Sequence, residues 1–230
     1  MNAQPLPQAA AFIIDLDGTL VDTLGDFVAV LGAVFGELGL PLVDRAFVER
    51  TVGKGSEHLI RTTLAHVGAE AALYDTAWLR YQAHYRQMNG QFSAVYPGVL
   101  EGLQRLRALG RPMACLTNKP AAFARELLQR KGLDGFFDRV FGGDDFERKK
   151  PDPLPLIKTC EALGVSPASA WMIGDSANDA AAARAAGCTT VLVRYGYNHG
   201  EAIETVPASQ YLDRLDQLQL PGELSDCARA

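Results

Sequence analysis

The run Ala11-Phe12-Ile13-Ile14 is apolar at every residue, and Asp15-Leu16-Asp17-Gly18 follows it at once. A strand that is apolar on successive residues is buried on both faces, as in a parallel sheet covered by helices on each side. Side chains two apart on an extended chain share a face. Asp15 and Asp17 therefore point the same way out of the strand's carboxyl end, where open parallel sheets bind their ligands. Two carboxylates this close repel each other. A divalent cation, or a division of labour between a nucleophile and an acid/base, resolves the conflict.

Beyond Asp22 the period changes from strand-like to helical. Leu24, Phe27, Val28, Leu31, Val34, Phe35 and Leu38 recur at helical spacing until Gly39. Leu59, Ile60, Leu64 and Val67 outline a second helix ended by Gly68, and Leu73, Ala77, Tyr81 and Met88 a third ended by Asn89-Gly90. Nothing between Asp22 and Phe92 reads as a strand. From Pro97 onward, helices and apolar strands alternate. The helices run through Leu100, Leu103, Leu106 and Leu109, through Phe123, Leu127 and Leu128, through Leu154, Ile157, Cys160 and Leu163, and through Ala180 to Ala186. The strands fall at 112–116, 139–141, 170–173 and 190–193. This order predicts an α/β fold, a doubly wound parallel sheet with a small all-helical domain inserted after the first strand. The expected core is 1–21 with 93–222 and the helical domain is 22–92, while 1–9 and 221–230 are expected to be disordered tails.

Other strand ends carry polar groups. Thr117 and Asn118 close the strand after Pro112 and offer a hydroxyl, an amide and backbone N–H groups to an anion. Lys150 stands before Pro151, which favours an extended backbone. Asp152 can cap the next helix, with Pro153 at its first position. Lys150 is thus a fixed positive charge on a stiffened loop, whereas Arg148 and Lys149 read as solvated. Gly174-Asp175-Ser176-Ala177-Asn178-Asp179 places Asp175 at a buried strand end and Asp179 in the first turn of a helix, where acidic groups are favoured. Asp15, Asp17 and Asp175 together would make an oxygen-rich site for Mg²⁺. The four histidines show no metal-ligand spacing.

Composition excludes several classes. With 22 basic against 27 acidic residues, the net charge is −5, and no basic run tracks a nucleic-acid backbone. Cys115, Cys160, Cys188 and Cys227 are scattered, which fits reduced thiols in the cytoplasm. Met1 to Ala10 has no apolar stretch of signal-peptide length, and no segment reaches the length of a membrane span.

Asp-Leu-Asp-Gly-Thr-Leu-Val-Asp-Thr at 15–23, Leu-Thr-Asn-Lys at 116–119, Lys-Pro-Asp-Pro at 150–153 and Gly-Asp-Ser-Ala-Asn-Asp at 174–179 resemble, in order, the four motifs of the haloacid dehalogenase superfamily. The stretch Tyr195 to Gly200 and the triplet Gly53-Lys54-Gly55 further resemble bacterial phosphoglycolate phosphatases. The resemblance implies a helical cap over the core and Mg²⁺-dependent hydrolysis of a small phosphorylated metabolite, 2-phosphoglycolate, by a monomer or homodimer. It implies Asp15 as nucleophile, Asp17 as acid/base, and Thr117 and Lys150 holding the phosphoryl oxygens, assisted by backbone N–H groups near Gly18 and Asn118. Mg²⁺ would sit on Asp15, the carbonyl of Asp17 and Asp175, with Asp179 orienting bound water or Lys150. Lys54 is the expected contact for the substrate's carboxylate. The alternatives are a phosphatase for a sugar phosphate or pyrophosphate, a phosphomutase, and, from another class, a phospho-accepting signalling module. Similar mutases often carry an acidic residue just before the last-motif Asp, where this chain has Gly174. A receiver domain bears its phosphorylated Asp after the third strand and has no cap.

Overall fold

The computed structural model describes residues 7–221. The first strand, β1 (Ala11–Ile14), is fully buried, as its unbroken apolar run requires. A short strand β2 (Val21–Asp22) leads into four helices: α1 (Leu24–Glu37), α2 (Arg45–Thr51), α3 (Ser56–His66) and α4 (Tyr74–Met88). The chain returns through β3 (Ala94–Val95), antiparallel to β2. Alternating elements follow: α5 (Val99–Ala108), β4 (Met113–Leu116), α6 (Ala121–Arg130), β5 (Arg139–Phe141), α7 (Leu154–Leu163), β6 (Ala170–Gly174), α8 (Ala177–Ala186), β7 (Thr189–Val193) and β8 (Gln210–Leu212).

The main sheet has six strands in the order β5-β4-β1-β6-β7-β8, and every pairing is parallel. Ile14 lies opposite Cys115 on one side and Ile173 on the other. The chain winds outward from β1 first through β4 and β5, then through β6 to β8, so the topological switch falls at β1. Alternation along the strands supplies both faces. Phe12, Ile14, Trp171 and Ile173 pack with Leu103, Leu106, Leu127 and Leu128 of α5 and α6. Ile13, Leu116 and Met172 pack with Leu156, Cys160, Ala182 and Ala183 of α7 and α8. The small residues of α8 let it lie close to the sheet, and Gly187, at φ 84°, ends it in the left-handed conformation.

The four helices build a separate apolar cluster from Phe27, Leu31, Val34, Leu59, Ile60, Tyr81 and Tyr85, among others. Two strand-like passes join them to the sheet, and Asp26 clamps the second pass to the first turn of α1. Its fully buried carboxylate accepts from the N–H of Gly90 at 2.8 Å and of Phe92 at 2.7 Å.

Several expectations are revised. Pro7–Ala9 belong to the ordered fold: the Pro7 carbonyl accepts from Trp171 Nε1, and Ala9 is buried in the core cluster that holds Phe12 and Trp171. The rest of both expected tails, 1–6 and 222–230, lies outside the described residues, as does Cys227. Cys115, Cys160 and Cys188 are free, buried thiols. Leu100 and Leu109 are exposed, because α5 buries Val99, Gly102, Leu103 and Leu106 instead. Helix α2 and strands β2, β3 and β8 are too short to carry a period. Pro153, and not Asp152, stands at the N-cap of α7, which begins at Leu154; Asp152 sits one residue earlier and accepts from the N–H of Leu154. Lys149 pairs with Glu57 at 2.6 Å across to α3, and Arg148 with Asp152.

Replacing Asp26 with alanine strands two part-buried N–H groups. The expected loss is about 1.5–3 kcal/mol, read as a fall in Tm of about 3–10 °C for a chain of this size. An unchanged thermal melt would show that water replaces the carboxylate without cost.

Candidate active site

Asp15 follows the last residue of β1 and stays in the sheet through its N–H, which donates to Ile173 O at 2.9 Å. The chain then turns tightly: the N–H groups of Thr19, Leu20 and Val21 all reach the carbonyl of Leu16. Gly18 sits at φ +85° in this turn, and a Cβ there would lie 2.1 Å from Asp175 Oδ2. A Cβ at Gly196, in the loop after β7, would lie 2.4 Å from the same oxygen. Both positions admit only glycine because the Asp175 side chain fills the space between them.

Asp15, Asp175 and Asp179 bring carboxylate oxygens within 4.8 Å of one another, all three residues buried. One cation stands among them. Lys150 Nζ lies 2.9 Å from Asp15 Oδ1, and donates to Asp179 Oδ1 at 2.7 Å and to Leu116 O at 2.9 Å. The Asp15 contact is an ion pair without hydrogen-bond alignment, so Asp15 Oδ1 is a buried oxygen with no hydrogen-bond partner. Burial pushes the Asp15 carboxyl up to about 7, against the pull of Lys150 and with the help of Asp179. Burial and the neighbouring Asp179 and Asp15 charges also raise Asp175 well above the usual carboxylate range. Burial opposes the charge on Lys150, but Asp15 and Asp179 outweigh it and raise its pKa.

Asp179 is already engaged. Its Oδ2 accepts from the N–H groups of Asp175 and Ser176 and from the Ser176 hydroxyl at 2.7 Å, which caps α8. Asp175 accepts from the Thr19 hydroxyl at 3.0 Å and from the N–H of Tyr197 at 2.6 Å. The phenol of Tyr197 in turn donates to Asp22 and accepts from the N–H of Leu24, at the start of α1. One residue thus joins the acidic cluster to the first pass into the helices.

Asp17 is not in the three-carboxylate group. Both its oxygens bind Lys119 Nζ, at 2.8 and 3.0 Å. That ammonium also lies 4.7 Å from the ring centroid of Phe27 and 4.9 Å from that of Tyr85. The sequence shows Lys119 only as the last letter of a strand-end motif, and no local signal announces its partner. Asp15, Asp17, Thr117, Asn118, Lys119 and Asp175 line one cavity together with Phe27, Val52, Ser56, Leu59 and Tyr197. The Thr117 hydroxyl oxygen accepts from the N–H of Lys119 at 3.2 Å, which leaves its proton free to donate. The Asn118 amide bridges to both carbonyls of Lys150 and Gly53, at 2.8 and 3.0 Å. Asn178 reaches the same Gly53 carbonyl at 3.4 Å and contacts His199 Nε2 at 3.2 Å. Lys54 is exposed and is not among the residues lining the cavity.

The donor set fits a hard divalent cation. Four carboxyl groups, Asp15, Asp17, Asp175 and Asp179, face two ammonium groups, so the acids outnumber the cations by two. Asp15, Asp175 and Asp179 would offer such an ion oxygen ligands only.

The sequence matches the family described as haloacid dehalogenase-like hydrolase over residues 12–193. It is 42% identical over 206 residues to a phosphoglycolate phosphatase of Thiobacillus denitrificans, covering 88% of this chain and 90% of that one. A phosphoglycolate phosphatase of Chromobacterium violaceum is 40% identical over 195 residues, covering 84% and 88%. The crystal structure of a predicted phosphoglycolate phosphatase from Haemophilus somnus superposes with a TM-score of 0.86 at 29% identity, covering 91% of this chain and 96% of that one. The chain belongs to the haloacid dehalogenase-like hydrolases. Within that family it is a phosphatase. No helix among the described residues is long and apolar enough to cross a membrane.

Gly18→Ala is expected to cut turnover at least tenfold, because the new Cβ collides with Asp175 Oδ2 in a left-handed turn that disfavours any side chain. Steady-state assays on the folded variant check this, and wild-type rates would mean that the turn relaxes freely.

Proposed function

We propose that this chain hydrolyses 2-phosphoglycolate to glycolate and phosphate through an aspartyl-phosphate on Asp15. The observation that carries the chemistry is the buried Asp15 carboxylate, ion-paired to Lys150 and free of hydrogen bonds at Oδ1, on a residue that lines the same cavity as Asp17 and Thr117. The names of the relatives at about 40% identity support the choice of substrate.

Asp15 attacks phosphorus as the ester P–O bond breaks, and Asp17 gives its proton to the departing glycolate oxygen. Water then attacks the phosphorus of the aspartyl-phosphate and passes its proton to Asp17, and the bond to Asp15 breaks to release phosphate. Lys150 and the Thr117 hydroxyl hold equatorial oxygens, with the N–H groups near Gly18 and Asn118. Mg²⁺, held by Asp15, the carbonyl of Asp17 and Asp175, would offset the repulsion between nucleophile and phosphate. Asp179 fixes Lys150. Residues 22–92 act as the cap that shuts water out, and the hydrogen bonds from Asn118 and Asn178 to the Gly53 carbonyl tie it to the core. The three free thiols fit work in the reducing cytoplasm.

The mutase alternative meets an obstacle at Gly174. A Cβ there would lie 2.4 Å from Asp179 Cγ, so an acidic side chain before Asp175 displaces the carboxylate that caps α8. A phosphatase for another small phosphate ester remains the alternative that a substrate panel separates.

Asp15→Asn is expected to lose far more than the tenfold in rate that about 1.4 kcal/mol represents, and a chelator is expected to abolish wild-type turnover until Mg²⁺ is restored. Asp17→Asn, given an aryl phosphate whose leaving group needs no proton, is expected to accumulate phosphate on the peptide containing Asp15, seen as a mass increase. Label on another residue would sink the division of roles. A phosphate-release panel that ranks 2-phosphoglycolate below sugar phosphates or pyrophosphate would sink the substrate.

A further inference from the structure

Lys119 is a buried cation whose hydrogen bonds go to one residue. Its side chain is 1% exposed, and both its bonds run to Asp17. Burying an ammonium group is costly unless it is paired, so an acidic group must face Lys119 throughout the reaction cycle. Asp17 cannot keep both its oxygens on Lys119 throughout. As the group that protonates the ester oxygen, it must turn at least one oxygen toward the substrate.

Lys119 is also the one cation among the described residues lining the cavity. Lys150, behind Asp15, donates to Asp179 and Leu116 and is ion-paired with Asp15, and it is not among the residues lining the cavity. Lys54 is exposed outside the cavity wall. The other sides of the Lys119 ammonium meet the rings of Phe27 and Tyr85, from α1 and α4. Those rings hold the charge in place but contribute less than a charge-assisted hydrogen bond.

We propose that Lys119 is the residue that recognises the substrate's carboxylate, and that this carboxylate takes the place beside the ammonium that Asp17 holds in the free enzyme. The inference rests on the reading of 2-phosphoglycolate as substrate and deepens it. The carboxylate of that molecule is attached to the carbon bearing the ester oxygen, which is the atom Asp17 must reach. A carboxylate so placed lies beside Asp17 and within range of its partner. A neutral group at the same position gives Lys119 no replacement charge, so Asp17 stays held. Selection for an acid therefore comes from the core strand end, with the helices contributing two aromatic faces.

The test compares 2-phosphoglycolate with 2-hydroxyethyl phosphate, which replaces the carboxylate by a hydroxymethyl group, in the wild type and in Lys119→Met. The wild type is expected to favour the acid in kcat/KM by about tenfold or more, and Lys119→Met to bring the two esters within about threefold of each other, since the charge-assisted bond is gone. Thermal melts establish that the variant folds. If it does not, Lys119→Gln, which keeps a donor toward Asp17, reads the same ratio. A variant that loses both activities equally and keeps the wild-type preference overturns the proposal and leaves Lys119 as a support for Asp17. Collapse of the ratio in Lys54→Met instead would also overturn it, and return the role to the loop between Gly53 and Gly55. A wild type with no preference for the acid removes the substrate reading and the Lys119 role together, whereas an intact wild-type preference that survives in Lys119→Met removes the Lys119 role alone.

Discussion

Like charges at 4 Å repel by about 4 kcal/mol at the effective dielectric near a protein surface, and this chain gathers four carboxylates at the ends of β1 and β6. A net stability of about 5–15 kcal/mol is typical for a domain, so such a cluster cannot be left to itself. The fold answers each charge separately. Lys150 donates to Asp179 and a strand-end carbonyl and forms an ion pair with Asp15. Asp179 is tied into the cap of α8, and Asp17 is carried off to Lys119. Only Asp15 keeps an oxygen without a hydrogen bond, and it is the residue at the sheet's switch point. Repulsion that the protein leaves uncompensated becomes affinity for a cation, because whatever binds the folded state alone also stabilises it.

The core sheet was legible because burial on both faces leaves an unmistakable signature in four or five successive apolar residues, as at Ala11–Ile14 and Ala170–Gly174. Asp15 and Asp175 were legible because each stands at the end of such a run, where a charge has no structural reason to be. Helices α1, α3 and α4 were legible through their periodic faces. What stayed hidden depended on partners far along the chain. Asp26 meets Gly90 across 64 positions, Lys119 meets Asp17 across 102, and the phenol of Tyr197 meets Leu24 across 173. Periodicity reports which face is buried and is silent about which polar group will be waiting there.

Lys54 and Lys119 make the contrast concrete. A lysine between two glycines stands out in a sequence because the backbone around it is free to turn, yet in the folded chain it faces solvent. A lysine after Thr117-Asn118 looks like part of a loop entering a helix. The fold nevertheless buries it, because β4 ends beside β1 and the turn brings Nζ to Asp17.

Tyr197 has a consequence for how such proteins exchange parts. Its backbone secures Asp175, and its phenol, held by Asp22, receives the first N–H of α1. The junction between the helical insertion and the sheet is therefore a three-way splice, whose pieces lie at the chain's beginning and near its end. A chimera that grafts a foreign insertion between Asp22 and Phe92 inherits Tyr197 from the host, and must offer it an N–H in the same register. Insertions that start one residue early or late would leave that phenol with Asp22 alone, and the mismatch would be felt at Asp175 rather than in the graft. A graft that keeps residues 22–24 and 195–197 together keeps this splice intact.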